Sequence, residues 1–183
     1  MLYIMRHATT EWNREGRLQG RTDIPLNEAG RLLARQAHQA YRELHFDLCY
    51  CSPLIRARET AELFLAGKDV PILTDDRLQE MCFGICEGTV GYLEDENGPL
   101  GDLFFRPAQY KTPPEGAESM DALFARTGEF LQDVIEPLMA QSKDVLIVGH
   151  GAMNAALICS LKGLGREHFW DNGLKSCVPM RLR

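Results

Sequence analysis

Apolar residues in this chain cluster in short groups, and the spacing within each group changes along the sequence. Leu2 to Met5 is a continuous apolar run that reads as a short buried strand ending at Arg6. Asn27 suits an N-cap, because Ala29, Leu32, Leu33, Ala37, Ala40, Tyr41 and Leu44 follow at helical spacing. Asp47 to Cys51 predicts a second strand, broken by Ser52-Pro53, and Ala57, Thr60, Ala61, Phe64 and Leu65 mark one face of another helix. Pro71 to Thr74 predicts a third strand. Met120, Leu123, Phe124, Leu131, Val134, Ile135 and Leu138 then form the buried face of one long helix. Val145 to Val148 is the clearest strand, followed by Gly149 and a helix from about Ala152 to Leu161. Ser176 to Leu182 alternates weakly, and Pro179 confines it to an edge strand or a bulge.

Strands alternating with helices predict an α/β fold, a three-layer α/β/α sandwich with a mainly parallel sheet. No repeat or linker interrupts the chain, so residues 1–183 read as a single domain. The polar, Gly-containing stretch from Thr9 to Pro25 reads as a loop with room for one helical turn. Residues 88–116 carry Gly88, Gly91, Gly98, Pro99, Gly101, Pro107, Pro113 and Pro114 among acidic and aromatic residues. Structureless segments of that length in compact domains are often lids or binding loops, so a lid-like insertion is expected here.

Composition narrows the function classes. A domain of 183 residues buries roughly 70% of its unfolded surface and needs no metal or disulfide to fold. The net charge of −6, with no run of Lys or Arg, argues against nonspecific nucleic-acid binding. The opening LYIM is too short for an export signal or a membrane span, so no membrane association is expected. Cys49, Cys51, Cys82, Cys86, Cys159 and Cys177 mostly sit in apolar stretches, as reduced core thiols do. Neither Cys49-x-Cys51 nor Cys82-x₃-Cys86 has the two-residue gap of a zinc knuckle. A reducing, cytoplasmic setting is the expectation.

In open parallel sheets, ligands bind just beyond the carboxyl ends of the strands. The residues leaving the first strand are Arg6 and His7, those after the second include Ser52 and Arg56, and those after the Val145 strand are Gly149, His150 and Gly151. Three strand ends thus bring two arginines and two histidines to one side of the sheet. Arginine stays charged and offers a planar fork that fits phosphate oxygens. Backbone N–H groups opening the helix at Gly151 would add partial positive charge. A histidine in such surroundings is held neutral, and a neutral imidazole can attack phosphorus. Glu80 is the candidate to protonate the leaving oxygen and later deprotonate water, with Glu87 behind it.

Each residue alone has an ordinary reading. Arg6-His7 suits a surface ion pair, His150 between two glycines a tight turn, and Glu80 a solvated carboxylate. Arg56 opens a helix, where positive charge opposes the macrodipole, and that local cost mildly favours a bound anion. The convergence, not any single residue, points to phosphoryl transfer.

At these positions the sequence closely resembles the histidine phosphatase superfamily, which includes cofactor-dependent phosphoglycerate mutases and small-molecule phosphatases. Arg6-His7-Ala8-Thr9-Thr10-Glu11-Trp12-Asn13 is similar to the family's Arg-His-Gly-Glu-Thr-x-x-Asn pattern. Gly16-Arg17-Leu18-Gln19-Gly20, Ser52-Pro53-Leu54-Ile55-Arg56-Ala57, Leu78-Gln79-Glu80, Gly116-Ala117-Glu118-Ser119 and Val148-Gly149-His150-Gly151 continue the series in family order. The resemblance implies a phosphorylated nucleophile at His7 and an acid–base residue at Glu80. It also implies a phosphate clamp of Arg6, Arg56 and His150, and a substrate pocket lined by Asn13, Gln19, Gly20 and Gly151. It implies no metal and no organic cofactor. Ala8 stands where the family usually has Gly, which would crowd the backbone if that position required positive φ. Thr9 replaces a frequent Glu, and Cys86 stands where Trp is common.

The expected activity is hydrolysis of a small phosphorylated metabolite through a phosphohistidine. The alternatives are a phosphoglycerate mutase, a phosphohistidine-protein phosphatase and a catalytically idle binding protein. No G-x-G-x-x-G follows the first strand, which disfavours a dinucleotide enzyme. Thr89 to Glu115 offers Arg106 and Lys111 against Glu94, Asp95, Glu96, Asp102 and Glu115. That is a poor source of cations for a substrate carboxylate. Phe104-Phe105 suits an apolar leaving group or an anchor to the core, and the oligomeric state stays open.

Overall fold

The computed structural model describes all 183 residues. Five strands form one sheet: β1 (Leu2–Arg6), β2 (Leu48–Cys51), β3 (Ile72–Thr74), β4 (Val145–Gly149) and β5 (Met180–Arg181), in the order β3-β2-β4-β1-β5. All neighbours are parallel except β5, which runs antiparallel along the edge of β1. Pro179 therefore lies beside an edge strand, as its missing N–H requires.

Period-two alternation sorts the strands into two cores. Leu2, Ile4, Val145 and Ile147 face one side, and Tyr3, Met5, Leu146, Val148, Cys49 and Cys51 face the other. The second side is covered by α2 (Glu28–Ala40) and α3 (Ile55–Phe64), through Ala34, Ala37, Ala57, Ala61 and Phe64. Asn27 caps α2 by accepting from the Gly30 N–H at 2.8 Å. The first side carries α5 (Met120–Phe130) and α7 (Gly151–Lys162). Residues Ala152 to Cys159 of α7 are all buried, so this helix, apolar there except for Asn154, lies between the sheet and α5. The six cysteines are free thiols, and no cluster of His, Cys, Asp or Glu has a metal-binding arrangement. No helix is long and apolar enough to cross a membrane.

The expected single helix after Met120 is divided. A π turn over Leu131–Ile135 separates α5 from α6 (Glu136–Ala140). Pro137 explains the break, since it has no N–H and its ring crowds the preceding turn. The insertion also has more structure than a loop. It contains α4 (Gly101–Phe105) and a 3₁₀ turn at Pro107–Gln109, and it buries Leu100, Leu103 and Tyr110 in the first core.

The chain leaves β1 toward the α2 face and leaves β4 toward the α7 face. These two strands are neighbours, so their carboxyl ends open a crevice. The His7 N–H donates to the Gly149 carbonyl at 2.9 Å and the Ser52 N–H to the Val148 carbonyl at 3.1 Å, which ties the three strand ends together.

Candidate active site

A cavity of about 370 Å³ occupies this crevice. Arg6, His7, Asn13, Gln19, Gly20, Arg56, Glu80 and Gly151, all expected from sequence, line it. His150, the remaining expected residue, is fully buried and lies against His7 with ring centroids 5.1 Å apart.

His7 is held by its own neighbour, with Nδ1 2.6 Å from the Ala8 carbonyl oxygen. A carbonyl only accepts, so Nδ1 carries the proton and Nε2 keeps a free lone pair. Burial, then the charges of Arg56 and Arg6, hold the imidazole well below its usual pKa. His150 is shifted the same way, by burial and then Arg56. Ala8 does not crowd this turn. It is fully buried and its φ is not positive, so the position does not require glycine.

Arg56 has no exposed surface. It donates to the carbonyls of Thr22 at 3.0 Å and Gly20 at 2.6 Å, yet its Nε has no protein partner. Burial lowers its pKa to about 10, still charged at neutral pH. Gly20 takes φ +57°, and a Cβ there would run into the Glu87 carboxylate. Thr60, one turn along α3, donates to the Arg56 carbonyl at 2.6 Å and accepts from the Ala8 N–H at 3.0 Å, locking the helix to the His7 turn.

Asn13 and Gln19 are oriented by Thr10. Its N–H donates to Asn13 Oδ1 at 3.1 Å and its hydroxyl to Gln19 Oε1 at 2.8 Å. With both amide oxygens engaged, their NH₂ groups remain to donate. Below the cavity, Arg6 Nε, Arg56 Nε and both ring nitrogens of His150 are buried without partners. Buried polar groups are normally satisfied, and the donors among these, the arginine Nε–H groups and one ring N–H of neutral His150, suit an occupant with acceptor oxygens.

Glu80 differs from the expectation in one respect. Its carboxylate accepts from the N–H groups of Ala152 at 3.2 Å and Met153 at 2.9 Å, and from its own neighbour Met81 at 2.8 Å. The opening amides of α7 thus serve the carboxylate, and those two are not free to hold phosphate as the sequence suggested. Arg126 and Arg21 each donate to the Glu80 carbonyl at 3.3 Å, and Arg126 is itself gripped by Glu118 at 2.7 and 3.0 Å. Glu87 is engaged elsewhere. Its carboxylate accepts from the N–H groups of Arg21, Thr22 and Phe83 and from the Thr22 hydroxyl, and it does not line the cavity. Burial works to raise its pKa, but those hydrogen bonds outweigh it and the net shift is downward.

The sequence matches the Histidine phosphatase superfamily (branch 1) over residues 2–182. The chain belongs to that family. It is 31% identical to phosphoserine phosphatase 1 of Hydrogenobacter thermophilus, covering 100% of this chain and 87% of that protein. It is equally 31% identical to a 2,3-bisphosphoglycerate-dependent phosphoglycerate mutase of Cytophaga hutchinsonii, over 98% of this chain and 85% of that one. A phosphoserine phosphatase of Entamoeba histolytica, solved with 3-phosphoglyceric acid, superposes with a TM-score of 0.78 at 28% identity, covering 97% of this chain and 87% of its own. This histidine phosphatase thus has relatives on both the hydrolase and the mutase side.

Sequence reasoning missed most of the cavity mouth. Leu18, Phe83, Tyr92, Leu93, Phe104 and Trp170 line it, together with Arg17. Trp170 stacks on Phe104 at 5.4 Å and donates its indole N–H to the Leu103 carbonyl at 2.7 Å. Tyr92 also packs against Phe104, with ring centroids 4.9 Å apart. Phe104 therefore both faces the cavity and anchors the insertion. Phe105, expected beside it, turns to solvent because successive helical residues point in different directions. The aromatic pair in the sequence was a usable signal for Phe104. Trp170 carried none, since it reaches the mouth only through packing of the chain after α7.

Proposed function

We propose that this histidine phosphatase hydrolyses phosphate monoesters of small, largely apolar leaving groups, with His7 as the transient phosphoryl carrier. The supporting observation is that the insertion directs no free cation into the cavity. Arg106 is paired with Asp102 at 2.9 Å and Glu96 at 3.9 Å, and Lys111 lies outside the lining. Arg17, the one cation at the mouth, is already bonded to Glu15 at 2.5 Å and to the Gly88 carbonyl at 2.9 Å. A mutase must grip a carboxylate and keep water out until the phosphoryl group returns. This mouth offers aromatic rings instead.

In the reaction, the ester's phosphate lies between Arg6, Arg56 and His150, and the terminal nitrogens of Arg6, the Arg56 Nε–H and a ring N–H of His150 supply the hydrogen bonds its oxygens need. His7 Nε2 attacks phosphorus as the P–O bond to the alcohol breaks. Glu80, in its acid form, gives its proton to the departing oxygen. A water then enters, loses a proton to Glu80 and displaces His7, so that orthophosphate leaves and both groups are restored. The positive charge needed comes from side chains, so activity should survive a chelator. The test compares phosphate release from aryl and alkyl phosphates with isomer formation from 3-phosphoglycerate supplied with catalytic 2,3-bisphosphoglycerate. Hydrolysis of several esters faster than isomerisation is expected. Isomerisation outpacing hydrolysis of every ester would make the protein a mutase.

A further inference from the structure

Two buried polar atoms beside the phosphate site lack partners and are complementary in kind. Arg6 Nε–H is a donor and Asn154 Oδ1 is an acceptor. The sheet places them side by side. Arg6 and Gly149 are paired residues on the parallel strands β1 and β4, and neighbouring strands lie about 4.8 Å apart. By the alternation of Leu2, Ile4, Val145 and Ile147, both positions face α7. A Cβ built on Gly149 would lie 2.6 Å from Asn154 Oδ1, so the amide of Asn154 hangs over the glycine and next to the stem of Arg6. Its Nδ2 donates to the Met5 carbonyl at 3.3 Å, which fixes the side to which Oδ1 is turned. Arg6 and Asn154 also line a common second cavity of about 110 Å³, which leaves the guanidinium room to shift toward the amide.

We infer that Asn154 is a positioning residue for Arg6, its Oδ1 accepting the Nε–H as phosphate draws the guanidinium into place. The guanidinium is then fixed at its root, and its two terminal nitrogens face the phosphate. A side chain at Gly149 would run into Met153 Cε first and into this amide next. This inference rests on the phosphate site proposed above.

The experiment is a double-mutant cycle read by orthophosphate affinity, measured calorimetrically on the full chain. Lysine carries a methylene where arginine has Nε, so Arg6→Lys keeps the charge and removes the donor in question. Asn154→Leu should weaken orthophosphate binding about tenfold in the Arg6 protein and less than twofold in the Arg6→Lys protein, a coupling that only shared function produces. Thermal unfolding of each variant checks the fold, and Asn154→Ala replaces the leucine variant if that one does not fold. Equal losses in both backgrounds, or no loss in either, would overturn the positioning role while leaving the phosphate site intact. Failure of the unaltered protein to bind orthophosphate would remove both the role and the functional reading beneath it.

Discussion

At the floor of the cavity, Arg6, His7 and His150 come from strand ends that the sheet holds in register, and Arg56 is locked to them through Thr60. At the mouth, Tyr92, Leu93, Phe104 and Trp170 come from the insertion and from the chain after α7, and they are joined by ring packing and one hydrogen bond, from the Trp170 indole to the Leu103 carbonyl. The floor is polar, buried and short of partners, while the mouth is aromatic and self-satisfied. Backbone hydrogen bonds between neighbouring strands fix the floor, as the close positioning needed for phosphoryl transfer demands. Packing fixes the mouth more loosely, which suits a region that only has to select a leaving group. On the function proposed above, chemistry and selectivity would be carried by separable parts of the chain.

The sharpest test of the floor is His7→Ala. Turnover should fall to background, and an acid-labile, base-stable phosphoryl label on the protein should vanish with it. Persisting turnover would dissolve the covalent scheme. Glu80→Gln should reduce turnover by about 10²–10⁴-fold, the usual worth of general acid–base catalysis, with orthophosphate binding largely kept. Glu87 is committed to the Thr22 turn, so its own substitution should act through stability instead.

A third test uses pH and separates the buried histidines from an exposed one. His7 and His150 are held below the value of about 6.5 that they recover on unfolding. The unfolded chain therefore binds protons that the fold refuses. Their contribution to stability is complete above pH 6.5 and is lost as pH falls below it, by up to about 1.4 kcal/mol per pH unit for each histidine. The urea midpoint should drop between pH 7 and pH 5.5, and a midpoint that held steady or rose would contradict the burial of these rings as neutral bases. His168 is raised by its hydrogen bond to Asp171, so its contribution is present below pH 6.5 and fades as pH rises through its folded value. Histidine NMR should show its ring titrating above the other two.

The smallest effect belongs to the mouth. Phe104→Leu keeps an apolar wall but removes the ring, and aromatic pairs are worth about 0.5–1.5 kcal/mol beyond their area. The ratio of kcat/KM for an aryl over an alkyl phosphate should fall by about 2- to 10-fold, with the phosphohistidine label unchanged. An unchanged ratio would mean that Phe104 serves only to anchor the insertion.

The same division explains what the sequence revealed. The sheet and the floor were legible because short apolar runs end at Arg6-His7, Ser52 and Gly149-His150, and the rule for strand ends does the rest. The use of the α7 amides by Glu80 was not legible, since nothing in the sequence tells which anion reaches a helix start first. The same holds for Glu87, whose carboxylate could be recognised as structural only once Thr22 and Phe83 were seen around it. The π turn at Leu131 was signalled only by Pro137, and a periodicity reading passes over one widened turn. Trp170 was invisible because its place depends on where α4 settles.

The seat of Glu80 couples proton movement to the backbone. Its oxygens accept from Ala152 and Met153, and a carboxyl group that takes up a proton becomes a weaker acceptor. On the proposed mechanism, each proton that Glu80 takes up or gives away loosens or tightens its hold on the first turn of α7. That helix begins directly after His150, so proton transfer and the seating of the phosphate clamp would share one mechanical joint.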